Sequence, residues 1–256
     1  MSGAHGNGWE ILAGELDRWA AAGRTATFWW RDDDAGRATP ALHRLLDLTA
    51  AHGIVPLLAV VPAWAEPSLA DLVARRDTAI AQHGVAHRDR SEGRTKKTEL
   101  LDGLPDLEVE LPAAHAALGA LFGARLLPVL VPPWNRLGAG LRGRLAGFGF
   151  RGLSAFGARP GSTLDGLALA NCHCDPVDWR GTRGFAGLPA ALGQLAGHLR
   201  ARRLGAADPA EPTGVMSHHA AHDAATWAFL AALAGRITAH PAAAWQDPRT
   251  LFPDGA

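Results

Sequence analysis

Two histidines four positions apart, His83 and His87, are the residues of this chain whose type and spacing best suit chemistry. Two imidazoles at this spacing can meet on one side of a turn or helix and bind one metal ion. A carboxylate from a neighbouring strand would complete three protein ligands and leave positions open for water and substrate, as in catalytic metal sites. With 12 histidines in the chain, the alternative is two unrelated side chains, one capping and one packed.

An acidic run, Asp32-Asp33-Asp34, follows the strand-like segment Thr25 to Trp30. Adjacent carboxylates at the end of a strand repel one another unless a cation or a proton lies between them. One of them could therefore bind the metal while its neighbour takes a proton from water. The alternative is an acidic helix start, because Asp favours N-caps and first turns.

A rigid turn and a pair of aspartates follow further along the chain. The prolines of Pro132-Pro133-Trp134 remove backbone donors and stiffen the turn, so Trp134 could form a flat wall against a sugar ring or an acyl methyl group. In Asp175-Pro-Val-Asp178-Trp179, one carboxylate could orient a catalytic histidine. The alternatives are a core tryptophan in the first segment and a capped turn in the second.

The last polar segment, Ser217-His218-His219, follows a short apolar run. A histidine at the end of a buried strand can serve as a general acid, because its pKa lies near neutrality. The alternative is the polar start of a helix.

The chain has two cysteines, in Cys172-His173-Cys174. This segment resembles a metal site, but alternation along a strand would point both thiols to one face and the imidazole to the other, which favours buried strand thiols over ligands. The cysteines are too close together to form a disulfide framework, and we therefore expect an intracellular, cytoplasmic protein.

Apolar periodicity predicts helices and strands that alternate roughly seven times, which implies a mostly parallel sheet with helices outside. Strands are predicted at 25–30, 54–61, 78–82, 126–131, 150–154, 167–171 and 214–217, and helices at 9–22, 39–53, 68–76, 107–122, 137–146, 188–203 and 222–239. The polar segments then fall at the carboxyl ends of strands, the rim where catalytic groups collect in a barrel. Since α/β barrels often reach ~250 residues, we expect one domain over all 256 residues.

Charge and hydropathy bear on whether the chain binds nucleic acids or membranes. The formal net charge is zero, which gives no reason to expect a nucleic acid or an anionic membrane as a partner. No apolar stretch approaches the ~20 residues needed to span a bilayer. Residues Met1 to Glu10 lack a basic region followed by an apolar run, so no signal peptide is expected there.

Taken in order, these segments resemble the polysaccharide deacetylase family, the carbohydrate esterases of family four. That family has an Asp-Asp pair, a His-x-x-x-His pair, a Pro-Pro-aromatic turn, an Asp-x-x-Asp-Trp segment and a late Leu-x-His. The matching segments here are Asp33-Asp34, His83 with His87, Pro132-Pro133-Trp134, Asp175-Pro-Val-Asp178-Trp179 and Met216-Ser217-His218. They extend over residues 28–223, nearly the whole chain.

The resemblance implies a distorted (β/α) barrel, usually of seven strands, and a metal-dependent hydrolase that removes an N-acyl group, commonly acetyl, from an amino sugar or glycoconjugate. It implies that Asp34, His83 and His87 hold a divalent metal, commonly zinc. Asp33 would be the general base, and His218 the acid that protonates the leaving amine. The remaining implied site residues are Asp175 or Asp178, which would orient His218, and Pro133, Trp134 and Trp179, which would line the substrate groove.

Three departures from the family pattern leave alternatives open. Arg31-Asp32-Asp33-Asp34-Ala35 replaces Thr-Phe-Asp-Asp-Gly, so the pair could also be Asp32-Asp33. The arginine that usually precedes the Pro-Pro turn and tethers the base is replaced by Val131, with Arg31 or Arg136 as possible substitutes. The last segment offers both His218 and His219. Two other functions therefore stay open: a metal-containing sugar-binding barrel without catalysis, and a hydrolase of a non-sugar C–N bond.

Overall fold

The computed structural model describes residues 8–93 and 96–252. Residues 1–7, on which most of the signal-peptide prediction depends, lie outside the described residues. The helices are α1 Glu10–Ala21, α2 Pro40–Ala51, α3 Pro67–Val73, α4 Leu107–Phe122, α5 Ala139–Arg142, α6 Leu188–Leu204, α7 Ala224–Ala239 and α8 Pro248–Leu251. The strands are β1 Ala26–Ala35, β2 Leu57–Val60, β3 Ala79–His83, β4 Leu126–Val131, β5 Gly152–Leu153, β6 Thr163–Leu164, β7 Leu167–Leu169, β8 Cys172–Cys174, β9 Thr213–Ser217 and β10 Ala243–Trp245.

Local signals in the sequence set several helix boundaries. The Thr39 side chain accepts a hydrogen bond from the Leu42 N–H and Pro40 occupies the first turn, so α2 begins where the sequence predicts. Asp223 caps α7 in the same way through the Thr226 N–H, and Gly205 ends α6 in the left-handed conformation. Helix α4 and strand β4 have the bounds that periodicity predicts.

The ten strands form one curled sheet in the order β6-β7-β5-β4-β3-β2-β1-β9-β8, and β10 pairs with the first residues of β1. All pairings between named strands are parallel except that of β6 with β7. Helices α2, α3, α4 and α6 each connect two neighbouring parallel strands, since parallel pairing needs such a crossover connection. This single α/β domain confirms the predicted barrel-like fold class.

Alternation along the strands gives the sheet two apolar faces. One face, which includes Phe28, Trp30, Leu58 and Ile80, packs against the outer helices. The opposite, inner face carries a second cluster, and its members are Trp29, Leu57, Ala59, Ala79, Ala81, Leu127, Val129, Val131, Ala170, Cys172, Met216 and Phe252. Residues 31 and 33 share the face of Trp29, and residue 83 shares that of Ala81, so their side chains continue the inner face at the carboxyl ends of the strands.

The structure differs from the sequence-based elements in four places. The strand predicted at 25–30 extends through the acidic run to Ala35. The helix predicted at 137–146 is only the single turn α5 and a following 3₁₀ turn. The short strands β6 and β10 were not predicted, since segments of two and three residues carry no periodicity.

No helix among the described residues is long and apolar enough to cross a membrane.

The cysteine segment is a strand, as predicted, but its two thiols do not share a face. A register shift between Cys172 and Cys174 interrupts the pairing of β8 with β9. The extra residue of such a bulge breaks simple alternation, so Cys172 joins the inner cluster and Cys174 the helix-facing one. Burial raises the pKa of the Cys172 thiol to about 12, which leaves this thiol protonated and inert near neutrality.

Candidate metal centre and active site

The three adjacent aspartates have three different surroundings because of their positions in β1. Arg31 and Asp33 alternate onto the inner face, whereas Asp32 points to the other side. The pairing of β1 with β2 then shifts register between Asp32 and Ala35, and Asp34 adopts a left-handed backbone with φ +67°. This bulge re-aims Asp34, so that Asp33 and Asp34 line one cavity, the central cavity, whose volume is about 320 Å³.

Asp34, His83 and His87 meet in the central cavity with the geometry of a metal site. Asp34 Oδ1 lies 3.3 Å from His83 Nε2 and 3.3 Å from His87 Nε2. Ligand atoms about 2.0–2.2 Å from a tetrahedral zinc ion are separated by about 3.3 Å. Buried Asp34 Oδ1 has no hydrogen-bond partner within the described part of the chain, which would be costly unless a cation satisfied it. The donor set therefore fits a divalent ion.

Hydrogen bonding fixes the ring of His83 in the tautomer that a metal needs. Its Nδ1 lies 2.9 Å from the Val131 carbonyl oxygen. Because a carbonyl can only accept, Nδ1 carries a proton, so the neutral form of the ring has its lone pair on Nε2, the nitrogen that faces Asp34. Burial disfavours the charged ring, but the hydrogen bond to Asp34 and the charges of Asp33 and Asp34 raise the pKa of His83 in the chain without a metal. Burial opposes the charged form of Asp34, yet the adjacent His83 and the charges of His218 and His87 lower the pKa of this carboxyl to about 2. The carboxylate is thus ionised and ready to bind a cation.

The turn that carries His87 is held by a buried glutamate. Glu99 accepts hydrogen bonds from the backbone N–H groups of Val85, Ala86 and Arg88, at 3.0, 2.8 and 3.2 Å. His87 itself has a left-handed backbone, φ +52°. A turn rather than a helix therefore brings the two histidines together, which is one of the two arrangements that their spacing allows. Sequence reasoning did not single out Glu99, since an acidic residue in a charged loop carries no distinguishing pattern.

Arg31 pairs with Asp33, two residues along the same strand, whereas Val131 precedes the Pro-Pro turn. Arg31 Nε donates to Asp33 Oδ1 at 2.8 Å and its Nη2 to Asp33 Oδ2 at 3.0 Å. The guanidinium is fully buried and also donates to Ser154 Oγ, the Ala155 carbonyl and Asn135 Oδ1. Burial disfavours its charge, but the Asp33 carboxylate raises the pKa of Arg31 above its ordinary value. Of the two substitutes that the sequence offered, Arg136 instead donates to the Lys97 carbonyl.

Asp32 belongs to a separate buried network. Its Oδ1 lies 2.5 Å from His219 Nδ1, and its Oδ2 accepts from Ser217 Oγ and from the His219 N–H. Burial opposes both charges, but each partner favours the other's charged form, so the pKa of Asp32 is lowered and that of His219 raised. Of the two registers left open by the sequence, only Asp33-Asp34 thus lines the central cavity.

His218 lines the central cavity beside Asp175 and Trp179. Its Nδ1 lies 4.0 Å from Asp175 Oδ2 and has no hydrogen-bond partner within residues 8–93 and 96–252. The Trp179 ring meets the His218 ring edge-on at 4.7 Å, and the Trp179 indole N–H donates to Asp175 Oδ2 at 2.7 Å. Asp178 lies elsewhere: its carboxylate accepts from the Gly181 and Thr182 N–H groups and closes a turn. The structure therefore places Asp175, not Asp178, next to His218.

The turn that follows Pro132 and Pro133 forms one wall of the central cavity, and its backbone is strained. Pro133 is buried. The Trp134 ring lies 4.4 Å from that of His87. Trp134 and Asn135 both have positive φ, +54° and +55°. Among the described residues, seven non-glycine residues have positive φ, and four of them line this cavity: Asp34, His87, Trp134 and Asn135. Strained backbone of this kind, at about 1–3 kcal/mol each, tends to cluster at functional sites.

A second group of histidines and a carboxylate lies away from this cavity. His173, His198 and Glu211 are buried, and their nitrogen and oxygen atoms lie within 4.8 Å of one another. The His173 and His198 rings stack with centroids 3.3 Å apart and an angle of 10° between their planes. The sequence pattern singled out only His173 of the three, because residues that meet from a strand, a helix and a loop share no short motif.

Comparison by sequence finds no protein-family model and no curated protein that matches the chain. Comparison by structure does find similar proteins. A proposed polysaccharide deacetylase from Mycobacterium smegmatis has a TM-score of 0.63 at 17% identity, covering 91% of this chain and 94% of that one. A family 4 acetyl xylan esterase from Clostridium thermocellum, solved with a cobalt ion, has a TM-score of 0.51 at 12% identity, covering 88% and 90%.

The same fold also occurs in a protein described as lacking activity. A pseudoenzyme of carbohydrate esterase family 4 from Bacillus anthracis has a TM-score of 0.58 at 12% identity, and the match covers 90% of this chain and 66% of that one. At these identities the likeness concerns the fold. The chain thus has the fold of the polysaccharide deacetylases and family 4 esterases, which confirms the resemblance inferred from its motifs.

Proposed function

We propose that this protein is a metal-dependent hydrolase that removes an N-acyl group, with acetyl as the first candidate, from an amino sugar or a small glycoconjugate. One observation carries the proposal. A single cavity contains a three-residue ligand set for a divalent metal, a carboxylate clamped by a buried arginine, and a histidine beside a second carboxylate. These are the groups that hydrolysis of an acyl amide by water requires.

Asp34, His83 and His87 would hold the metal, with zinc as the first candidate. When bound, such an ion supplies Lewis acidity, which lowers the pKa of water and polarises an acyl carbonyl. Three protein ligands leave coordination positions open, as in catalytic rather than structural sites. The cobalt ion in the acetyl xylan esterase structure supports a divalent ion in this fold.

Asp33 is the proposed general base. Each of its oxygens accepts one hydrogen bond from Arg31, and a carboxylate oxygen has about two acceptor positions, so each keeps one for the proton of the attacking water. The paired guanidinium fixes the orientation of the carboxylate and compensates its charge in a buried place. Arg31 is thus a positioning residue, which acts through Asp33.

His218 is the proposed general acid, which protonates the leaving amine. The Asp175 carboxylate, 4.0 Å from Nδ1, would stabilise the protonated ring, and the edge of Trp179 restricts the orientation of the ring. Burial raises the pKa of Asp175. Contacts of this length often tighten when substrate binds.

Trp134 and Trp179 are the proposed walls for the acyl group and the sugar ring, with Pro133 stiffening the turn. Trp179 is 43% exposed, as a ring that stacks on a ligand must be before binding. We further propose that the Trp134 backbone N–H helps to stabilise the oxyanion, a contribution that is often large in acyl transfer.

A sugar-binding barrel without catalysis is the second candidate, and the pseudoenzyme of the same fold supports it. In the sequence, the support for this candidate is that no arginine precedes the Pro-Pro turn to hold the base. Because Arg31 forms a salt bridge with Asp33, that support is lost. The hydrolase is therefore favoured over the binding barrel. The third candidate, hydrolysis of a non-sugar C–N bond, differs from the first only in substrate.

The test combines metal content with acetate release from N-acetyl amino sugars. We expect one divalent ion per wild-type chain, and loss of both the ion and acetate release in the double variant His83→Ala/His87→Ala. His43→Ala, which changes an exposed histidine of α2, is the matched control and should retain both. Metal without release from any sugar amide, but with release from cyclic ureides or simple acyl amines, would favour the third candidate. Metal without any hydrolysis would favour the binding barrel.

A further inference from the structure

A second cavity, of about 440 Å³, opens beside the central cavity, and Asp34 lines both. We call it the side cavity, and its other walls include Arg37, Thr39, Trp64 and His219. Because Asp34 is a proposed metal ligand, the metal would lie where the two cavities meet. A substrate whose acyl group is cleaved at that point could thus extend into both.

Gly36 positions a tryptophan at the wall of the side cavity. A Cβ atom at Gly36 would lie 2.6 Å from Trp64 Cβ and 2.8 Å from the Trp64 carbonyl oxygen, so only glycine allows this close approach. The Glu66 N–H donates to the Gly36 carbonyl at 2.8 Å and holds the two segments together. Trp64 is 44% exposed, and its ring lies 5.6 Å from that of His87. A half-exposed indole beside the metal ligands is a ready platform for a sugar ring.

The polar walls of the side cavity include one cationic side chain, Arg37, and one imidazole, His219. His219 is 4% exposed, and Asp32 occupies its Nδ1, so Nε2 is the ring nitrogen left for a ligand. Arg37 is exposed, and its side chain forms no hydrogen bond or ion pair with any other described residue. Within the described residues, the one carboxylate in this lining is Asp34, which the metal would use. The central cavity, in contrast, contains Asp33 and Asp175 as well.

We propose that the side cavity is a second substrate subsite, which binds the unit next to the deacylated one and selects a unit that carries a carboxylate or a phosphate. Trp64 would stack on the ring of that unit. The planar guanidinium of Arg37 would bind the anionic group through two parallel hydrogen bonds. This inference rests on the proposed function for its substrate, but the binding event itself requires no turnover.

The first experiment measures binding of three monosaccharides to the metal-loaded protein by NMR titration: D-glucuronate, glucose 6-phosphate and D-glucose. The first two carry the anionic group and the third is their neutral counterpart. We expect at least one anionic sugar to bind about tenfold more tightly than glucose. Arg37→Gln should remove this preference, Arg37→Lys should restore part of it, and Trp64→Ala should weaken all three. Whichever anionic sugar binds tightest identifies carboxylate or phosphate as the selected group.

Two controls locate the bound anion. Arg75→Gln changes an exposed arginine outside both cavities and should behave as wild type. His87→Ala, which should lose the metal, should keep the preference for the anionic sugar, because Arg37 and not the metal provides it. Equal affinity for all three sugars, an unchanged preference in Arg37→Gln, or loss of the preference in His87→Ala would each overturn the subsite.

A second experiment separates this inference from the proposed function. Acetate release is compared between N-acetylglucosamine linked to glucuronate and the same sugar linked to glucose. Arg37→Gln should raise KM about tenfold for the acidic disaccharide, leave kcat unchanged, and have little effect on the neutral one. An equal effect on both disaccharides would overturn the selection. Failure to release acetate from either would count against the proposed function, while the binding experiment would still decide the subsite.

Discussion

The described residues include two groups of two histidines and one carboxylate, and the two groups differ in the hydrogen bonds that their ring nitrogens make. In the first, Asp34, His83 and His87, the Nδ1 of His83 donates to a carbonyl oxygen, so in the neutral ring Nε2 carries the lone pair. In the second, His173, His198 and Glu211, the Gly214 N–H donates to His173 Nδ1 at 3.0 Å. That nitrogen must therefore accept, and in the neutral ring the proton is on Nε2.

We expect the second group to be a polar network around Glu211 rather than a metal site. Thr213 Oγ1 accepts from Arg202 and lies 3.0 Å from His198 Nδ1, so the hydroxyl can donate to this nitrogen and leave the proton on Nε2. Both Nε2–H groups then face Glu211, at 3.4 and 3.5 Å. The stacked rings agree with this, since a metal in the plane of one ring cannot lie in the plane of a parallel ring 3.3 Å away.

The pKa values in the second group also agree with a network of N–H donors around a carboxylate. Burial opposes the charge of Glu211, but the adjacent His173 and His198 side chains lower the pKa of this carboxyl to about 2. Burial also lowers the pKa of His173 to about 4. At neutral pH the carboxylate is ionised and this ring neutral, with the charge satisfied by N–H donors, including the backbone of Asn171 and Arg159. Both groups bring the same residue types within reach of one another, and the tautomers of His83 and His173 are what distinguish them.

The largest expected effect contrasts the two carboxylates. Asp34→Asn should lose the bound metal and lower kcat/KM for acyl hydrolysis by about a thousandfold or more, which is ~4 kcal/mol. Glu211→Gln should retain one ion per chain and wild-type activity, and elemental analysis with an acetate assay on both variants checks this. If Glu211→Gln lost an equivalent of metal, the second group would be a metal site after all.

The next effect tests whether Arg31 serves Asp33. Arg31→Gln should lower kcat by about a hundredfold, because the base loses its orientation and its compensating charge, while KM and metal content stay near wild type. Arg31→Lys keeps the charge but not the paired donors and should recover part of kcat. Since a buried carboxylate left unpaired can cost about 3–5 kcal/mol of stability, circular dichroism accompanies the kinetics. A fall in metal content parallel to that in kcat would show a structural role only.

A smaller effect concerns stability in the second group. Glu211→Gln replaces an acceptor of several N–H donors with a group that carries two donors of its own. We expect the free energy of unfolding to fall by about 2–3 kcal/mol, as measured by urea denaturation. Glu66→Gln, at an exposed glutamate, is the matched control and should stay within about 0.5 kcal/mol of wild type. Unchanged stability in Glu211→Gln would mean that the network does not support the fold.

The sequence predicted most of the fold and brought together the residues of the first histidine–carboxylate group, but not those of the second. The difference is whether local patterns alone place the residues at one site. His83 and His87 are close in sequence, and Asp33, Asp34 and His218 follow strands whose carboxyl ends meet at one rim, so alternation and order suffice. Asp34 reaches the ligand set only through a bulge, which the acidic run does not reveal. His198 and Glu211 come from a helix and a loop, and only tertiary packing brings them to His173. Arg31 and Arg136 were the two candidates for the partner of Asp33. Because residues 31 and 33 of one strand point to the same face, strand alternation favours Arg31.

The smallest expected effect is a change in the pH dependence of stability. The pKa of His173 is about 4 in the folded chain and about 6.5 when unfolded. Between these values the unfolded state binds more protons, so the contribution of His173 is full above pH 6.5 and is lost as the pH falls toward 4.

His173→Asn keeps an acceptor for the Gly214 N–H but cannot titrate. The free energy of unfolding of wild type should therefore fall by roughly 1–2 kcal/mol more than that of the variant between pH 7 and 5. Parallel pH profiles from urea denaturation would show that His173 is protonated as easily in the fold as outside it, which would contradict the lowered pKa.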